Sequence, residues 1–169
     1  MSNVKFEDHS EEVKVTLTDA IIAWLHEVGG EVASQATRNC QLKKADVGVD
    51  LPGGYKYELN EEELTATVGN PYEAVYWEEF GTGEYALHHD GRKGWWVYVE
   101  GQESKGGGKT YRNQEEAEEA AAFLRKTKGL QAYATNGRAP SRTLFNAFNQ
   151  ASKNSQKGLE QQLRRINSK

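Results

Sequence analysis

Cysteine is all but missing from this chain of 169 residues: Cys40 stands alone. An internal disulfide is therefore excluded, and with it the stapled architecture of small secreted domains. No run approaches the roughly 18 apolar residues that a membrane-spanning helix needs. The opening Met-Ser-Asn-Val-Lys-Phe-Glu-Asp has no signal-peptide core. A soluble protein made in a reducing cytoplasm, with no membrane partner, is expected. Net positive charge is also missing, since the balance is −4, which disfavours a general nucleic-acid binder and makes DNA contact unexpected. What charge there is lies unevenly. Residues 138 to 169 carry seven Lys and Arg against the single acid Glu160, a net of 7 − 1 = +6, leaving −4 − 6 = −10 for the rest. Such asymmetry steers a basic tail onto an acidic body, its own or a neighbour's, or onto phosphate, unless it is simply a solvated helix face.

Catalytic signatures are lacking too. His88, His89 and Asp90 are the nearest approach to a metal site, but adjacent histidines on a loop rarely share one ion, and no cysteine or second histidine pair is close by to complete it. Cys40 has no histidine and acid motif and reads as a small buried hydrophobe. The loop Gly101 to Thr110 ends Gly-Lys-Thr after a strand, yet Glu103 stands where a phosphate-binding loop needs its first glycine, and Tyr111-Arg112 continue in extended fashion where a helix should start. No enzyme, no cofactor and no metal are expected. The alternative class is a nucleotide- or nucleic-acid-binding module using that Gly/Lys loop and the basic C-terminal helix.

An apolar fraction of 37% over 169 residues supports one modest core, so residues 1–169 are expected as a single domain. Residues 1–16 are expected as a flexible tail or short extended segment. From Thr18, a candidate cap, Ile21, Leu25, Val28 and Val32 recur at helical spacing and predict a first helix ending near Cys40. Gly29 and Gly30 inside it call for a kink or a close packing partner. Alternation in Tyr55, Tyr57, Leu59 and again in Leu64, Ala66, Val68 predicts a β-hairpin. Trp95 to Val99 reads as a third strand. A flexible loop and a helix after the capping-box spacing Asn113-Gln-Glu-Glu116 fill 101–129, read as an insertion. Leu130, Ala132 and Ala134 predict a fourth strand. Pro140 to Asn167 predicts a last helix with stripes Leu144, Phe148, Ala151 and Leu159, Leu163, Ile166, and a break or fraying around Gly158. Helices and strands do not alternate regularly. The fold expected is α+β, a small mainly antiparallel sheet packed by long N-terminal and C-terminal helices, with a short central helix and an inserted helix.

The central stretch, Val68 to Tyr85, organises the rest. Asn70 is the expected cap and Pro71 the first residue of a short helix that Gly81 stops. Tyr72, Val75, Tyr76 and Phe80 then share one apolar face to be covered, with Glu73 and Trp77 pointing elsewhere. An exposed Trp77 suits a surface that meets another chain, and a tryptophan tucked under a loop is the equally weighted alternative.

The string Val68-Gly-Asn-Pro-Tyr-Glu-Ala-Val-Tyr-Trp-Glu-Glu-Phe-Gly-Thr-Gly83 resembles the signature of the small neck or tail-completion proteins of long-tailed bacteriophages, also labelled head-tail joining, minor capsid or minor tail components. Supporting matches are the first helix ending in Arg38 and Cys40, Gly91-Arg92-Lys93 before Trp95-Trp96-Val97-Tyr98, and Asn136-Gly137-Arg138-Ala139-Pro140-Ser141-Arg142 before Leu144-Phe145. The likeness spans about residues 18 to 150. It departs after the cysteine, where only Asp46 and Gly48 of a Pro-Val-Asp-Thr-Gly string can be placed, and near Thr143 and Asn146, where prolines are usual. It implies a non-enzymatic virion protein of the neck or tail, assembled in the bacterial host cytoplasm as a cyclic homo-oligomer, a hexamer being one option, beside other neck or tail proteins. The interface residues expected are Trp77, Glu78, Glu79, Phe80, Gly81, Thr82, Gly83 and Glu84, an acidic edge to be paired with Arg138, Arg142 or the C-terminal helix of a neighbour.

Overall fold

The structure is a computed structural model, and it describes residues 8–41, 50–101 and 108–167. The chain is α+β, with four α-helices and four strands among the described residues. Its strands do not join in the single sheet expected. They form two separate antiparallel pairs, and the contacts of the chain group into two compact units.

The first unit holds residues 1–39, 52–71 and 144–169. Its helix α1, Ser10–Asn39, starts eight residues before the expected Thr18. The Asp8 carboxylate accepts the Ser10 amide proton at 2.9 Å, and Glu11 and Glu12 in the first turn suit the positive end of the helix dipole. That backbone hydrogen bond, then the Ser10 side chain, holds the Asp8 carboxyl below its ordinary value. Thr18 is thus an interior residue, and the alternating valines that suggested an extended segment, Val13 and Val15, lie on the helix with most of their surface in solvent.

Further along α1, Gly29, Val32, Ala33 and Ala36 are buried at i, i+3, i+4, i+7, a stripe of small residues on one face. Against it lies the hairpin of β1, Lys56–Asn60, and β2, Thr65–Gly69. Tyr57 pairs with Val68 and Leu59 with Ala66, and the half-buried residues alternate with exposed ones as period two requires. The reason for the two helical glycines is close packing. A Cβ on Gly29 would sit 2.8 Å from Tyr57 Cδ2, whereas one on Gly30 would meet Tyr57 Cε1 at an ordinary 3.7 Å. Gly30→Ala is therefore expected to stabilise the protein by up to about 1 kcal/mol through helix propensity, while Gly29→Ala gives that gain back, and more, by forcing the Tyr57 ring aside. Thermal unfolding of the two variants checks this, and equal stabilisation by both would remove the packing explanation.

The second unit holds residues 40–51 and 72–143. Its central helix α2, Glu73–Phe80, starts two residues later than expected: Tyr72 is the capping residue, and its side chain makes no capping hydrogen bond. Asn70 does not cap it. The Asn70 side chain lies in the first unit against Gly54, where a Cβ would come within 2.8 Å of its amide. Strands β3, Trp96–Val99, and β4, Ala132–Thr135, pair antiparallel with Trp96 opposite Thr135 and Val99 opposite Ala132. Tyr111 bridges Trp95 on the other side of β3, confirming extended backbone there. Helix α3, Gln114–Lys128, packs on both strands. Ala117, Ala121 and Ala132 are fully buried between them; side chains this small allow close approach of helix and strand. The Asn113 side chain accepts the Glu116 amide proton at 2.9 Å, Glu116 reaches back to the amide of Arg112, and Gly129 ends the helix at φ 64°.

Helix α4, Thr143–Asn167, runs unbroken through Gly158. The expected start at Pro140 is blocked because Arg142 takes φ 54°, outside the helical region. In the first unit its buried line is Ala147 and Ala151, with Phe148 turned out at 57% exposure. The indole of Trp24 donates to the carbonyl of Ser155 at 2.8 Å, tying α4 to α1. Residues 102–107 of the glycine-lysine loop, Asp46, Gly48 and the first seven residues lie outside the described residues.

Candidate functional site

All ten interface candidates read from the sequence, residues 77–84 with Arg138 and Arg142, fall in the second unit. The first thing the structure changes is the orientation of α2. Its buried residues are Val75 and Glu78, not the aromatic stripe. Glu78 is 1% exposed, so it is no part of an outward acidic edge. Burying a carboxylate is costly unless its oxygens are bonded, and here they are. Gln41 N–H donates to Oε1 at 2.9 Å, the Thr143 hydroxyl to the same oxygen at 3.3 Å, and the Cys40 thiol to Oε2 at 3.4 Å. The carbonyl of Glu78 in turn accepts from the Ser141 amide at 2.8 Å and the Ser141 hydroxyl at 3.0 Å. One residue thus ties the chain leaving α1, the helix α2 and the entry to α4.

The Gly81-Thr82-Gly83 segment is clamped against Asn136-Gly137-Arg138. Thr82 N–H donates to the Arg138 carbonyl at 2.9 Å, Arg138 N–H to the Thr82 hydroxyl at 3.0 Å, and Glu84 N–H to the Asn136 carbonyl at 2.9 Å. Gly81 and Gly83 have φ 75° and 61°, and a Cβ on either would strike backbone of the facing segment. Only glycine meets both demands. The Glu84 carboxylate is also used at home, accepting from Gly94 N–H at 3.1 Å and from Asn136 Nδ2 at 3.2 Å. Glu84 and Arg138 thus stand on the two facing segments, Glu84 bonded to Asn136 and Arg138 to Thr82. Glu79 is half-buried beside the buried Glu78, and Arg142 is exposed at its positive φ.

What turns outward is aromatic. With Val75 and Glu78 inward, Glu73, Tyr76, Trp77 and Phe80 share the opposite face at i, i+3, i+4, i+7. Tyr76 and Trp77 are 46% and 47% exposed. Tyr76 stands edge-on to Trp77 with centroids 5.1 Å apart, Phe80 follows at 4.8 Å, and His88 at 5.1 Å from Phe80 continues the line. Leu87, whose amide donates to the Phe80 carbonyl at 2.9 Å, and Tyr85 lie on the same turn and are exposed. Rings held by mutual contact at these distances are partly ordered before any partner arrives. Tyr76, Tyr85, Leu87 and His88 were not among the expected interface residues. The spacing of Tyr76 fits either face of α2, and only the inward turn of Glu78 chooses between them.

Among the described residues no group of three His, Cys, Asp or Glu could hold a metal ion, and no helix is long and apolar enough to cross a membrane. His88 sits against Phe80, and His89 takes φ 58° in the following turn. Comparison of the chain with protein-family models, with curated proteins and with solved structures gives no match.

Proposed function

We propose that this chain is a structural, non-enzymatic protein of the neck or tail end of a long-tailed bacteriophage, made in the host cytoplasm and built into the virion as a ring. The outward aromatic line, the exposed Trp77, Tyr76 and His88 with the half-buried Phe80, is its docking face for a sister subunit or an adjoining virion protein. That line is the observation that carries the reading. Four ring systems on a rigid turn, with the opposite helix face pinned by a buried carboxylate, is a surface prepared for contact, and Trp and Tyr are the residues that dominate binding energy at protein interfaces. The signature from Val68 to Gly83 supports the same reading: its glycines make the clamp and its aromatics make the face. The acidic contribution to the contact falls to Glu73 on the exposed face, because Glu78 and Glu84 are engaged within the unit.

The test is complementation of particles lacking this protein. Tyr76→Ser with Trp77→Ser removes two hot-spot rings at about 2 kcal/mol each, roughly a thousandfold in affinity. The variant is expected to keep its circular dichroism and thermal transition yet leave heads and tails unjoined or tails unfinished under the electron microscope. Normal particles assembled with this variant, or without the polypeptide altogether, would end the proposal.

A further inference from the structure

The first unit carries a second surface that does not depend on the α2 face. Every residue from Asp8 to Asp19 is exposed, although this stretch holds the first three turns of α1. The helix meets α4 at Trp24, which bonds Ser155 and stands 3.8 Å from where a Gly158 Cβ would be. At about 1.5 Å per residue, the nine residues of α4 beyond Gly158 reach about 14 Å, while α1 extends about 21 Å from Trp24 back to Ser10. The exposure of every residue from Asp8 to Asp19 shows that α4 leaves the first turns of α1 uncovered. Those turns include Val13, Val15, Thr16 and Thr18, poor helix formers, in a segment too short to be stable on propensity alone.

The uncovered turns are acidic along one line and α4 is basic along another. Glu12 and Asp19 lie at i, i+7 on α1, with the exposed Val15 between them, and Asp8 precedes the helix, capping Ser10. Lys153, Lys157 and Arg164 lie at i, i+4, i+11 on the face of α4 turned away from Ala147 and Ala151, all three exposed, with Glu160 the one acid beside them. Among the described residues none of these three cations, nor Asp19, is in an ion pair. Glu12 and Asp19 match Lys157 and Arg164 in spacing and are opposite in sign.

We infer that a second copy of this chain covers the start of α1 with its α4, the two helices side by side and running the same way, so that Glu12 faces Lys157 and Asp19 faces Arg164, with Lys153 toward the acidic entry to the helix. The contact joins two different patches, so it repeats head to tail. A helix–helix contact between two acidic α1 starts is disfavoured by like charge, which is why the basic face of α4 is the fitting occupant.

Light scattering of the full chain over a range of protein concentrations tests this. Mass is expected to rise with concentration at about 0.1 M salt, and the association to weaken about tenfold at about 1 M, as three screened surface pairs would. One variant carries Lys153→Glu, Lys157→Glu and Arg164→Glu, and another Glu12→Lys and Asp19→Lys. Each is expected to stay monomeric alone, with its helical circular dichroism intact. Mixed, the two become complementary again at both patches and are expected to associate, a result that misfolded variants could not produce. A wild-type chain that stays monomeric at every concentration and salt, a mixture that fails to associate, or a basic face that binds duplex DNA without promoting self-association would each overturn the inference. The ring variants of α2 keep both charged patches and are expected to retain the salt-sensitive part of the association, which the charge-reversed variants lose, so failure of one proposal is distinguishable from failure of the other.

Discussion

Gly83→Ala is expected to cost about 3–5 kcal/mol and to take the docking face with it. Two penalties add. The residue sits at φ 61°, where a side chain costs roughly 1–2 kcal/mol. Its new Cβ would also lie 2.5 Å from Trp96 Cη2 and 2.7 Å from Gly137 Cα, with the Asn136 carbonyl oxygen closer still. Overpacking against side chains typically costs about 1–3 kcal/mol, and here two of the three neighbours are backbone, which cannot rotate away. The hydrogen bonds from Thr82 and Glu84 to the facing segment would have to open together. Gly129→Ala is the control. It shares a positive φ of 64°, but nothing lies within 4 Å of its added Cβ, so only the conformational penalty of about 1 kcal/mol remains. Urea unfolding of the pair separates strain from collision. Equal losses would mean that the clamp between Gly81-Thr82-Gly83 and Asn136-Gly137-Arg138 is not as tight as described.

Glu78→Ala is expected to cost about 3 kcal/mol or more, an unusual sum for removing an acid from a helix. The carboxylate accepts from Gln41, Thr143 and Cys40, and hydrogen bonds to a charged group contribute about 1.5–3 kcal/mol each. Truncation also opens a cavity in a packed site. Glu78→Gln keeps an oxygen for the Gln41 amide and should lose less, about 1–2 kcal/mol. The Cys40 thiol gives an independent readout. Freed from Oε2, it should be labelled faster by a thiol reagent in Glu78→Ala than in the wild-type chain. Unchanged stability and labelling in Glu78→Ala would show that the residue does not tie these segments.

Most elements were legible from pattern alone because their signals are local. The capping spacing at Asn113, the glycine at 129, the alternation in the hairpin and the aromatic run from Trp95 each need only a few neighbours in sequence. The start of α1 was misplaced for an equally local reason: Val13 and Val15 alternate with polar residues as a strand would, and the Asp8 carboxylate that caps Ser10 outweighs them. The break foreseen at Gly158 and the start foreseen at Pro140 were composition arguments, overruled by the unbroken packing of α4 and by the positive φ of Arg142. The placement of the ten interface candidates in the fold was only partly legible. The turn made by Gly81 and Gly83 follows from their lack of a Cβ, but which residues of α2 face outward does not, since two overlapping apolar stripes fit the same helix.

By itself, then, the amino-acid order settled the element types, the stop at Gly81 and the lack of any disulfide, because each depends on φ preference, periodicity or residue chemistry within a few positions. Only the tertiary structure decided that four strands pair as two sheets, that the acid of α2 is inside and its rings outside, and that Glu84 meets Asn136. Those outcomes rest on partners 37 to 65 residues away, Gln41, Asn136 and Thr143, and no local pattern says which distant donor will satisfy a buried carboxylate.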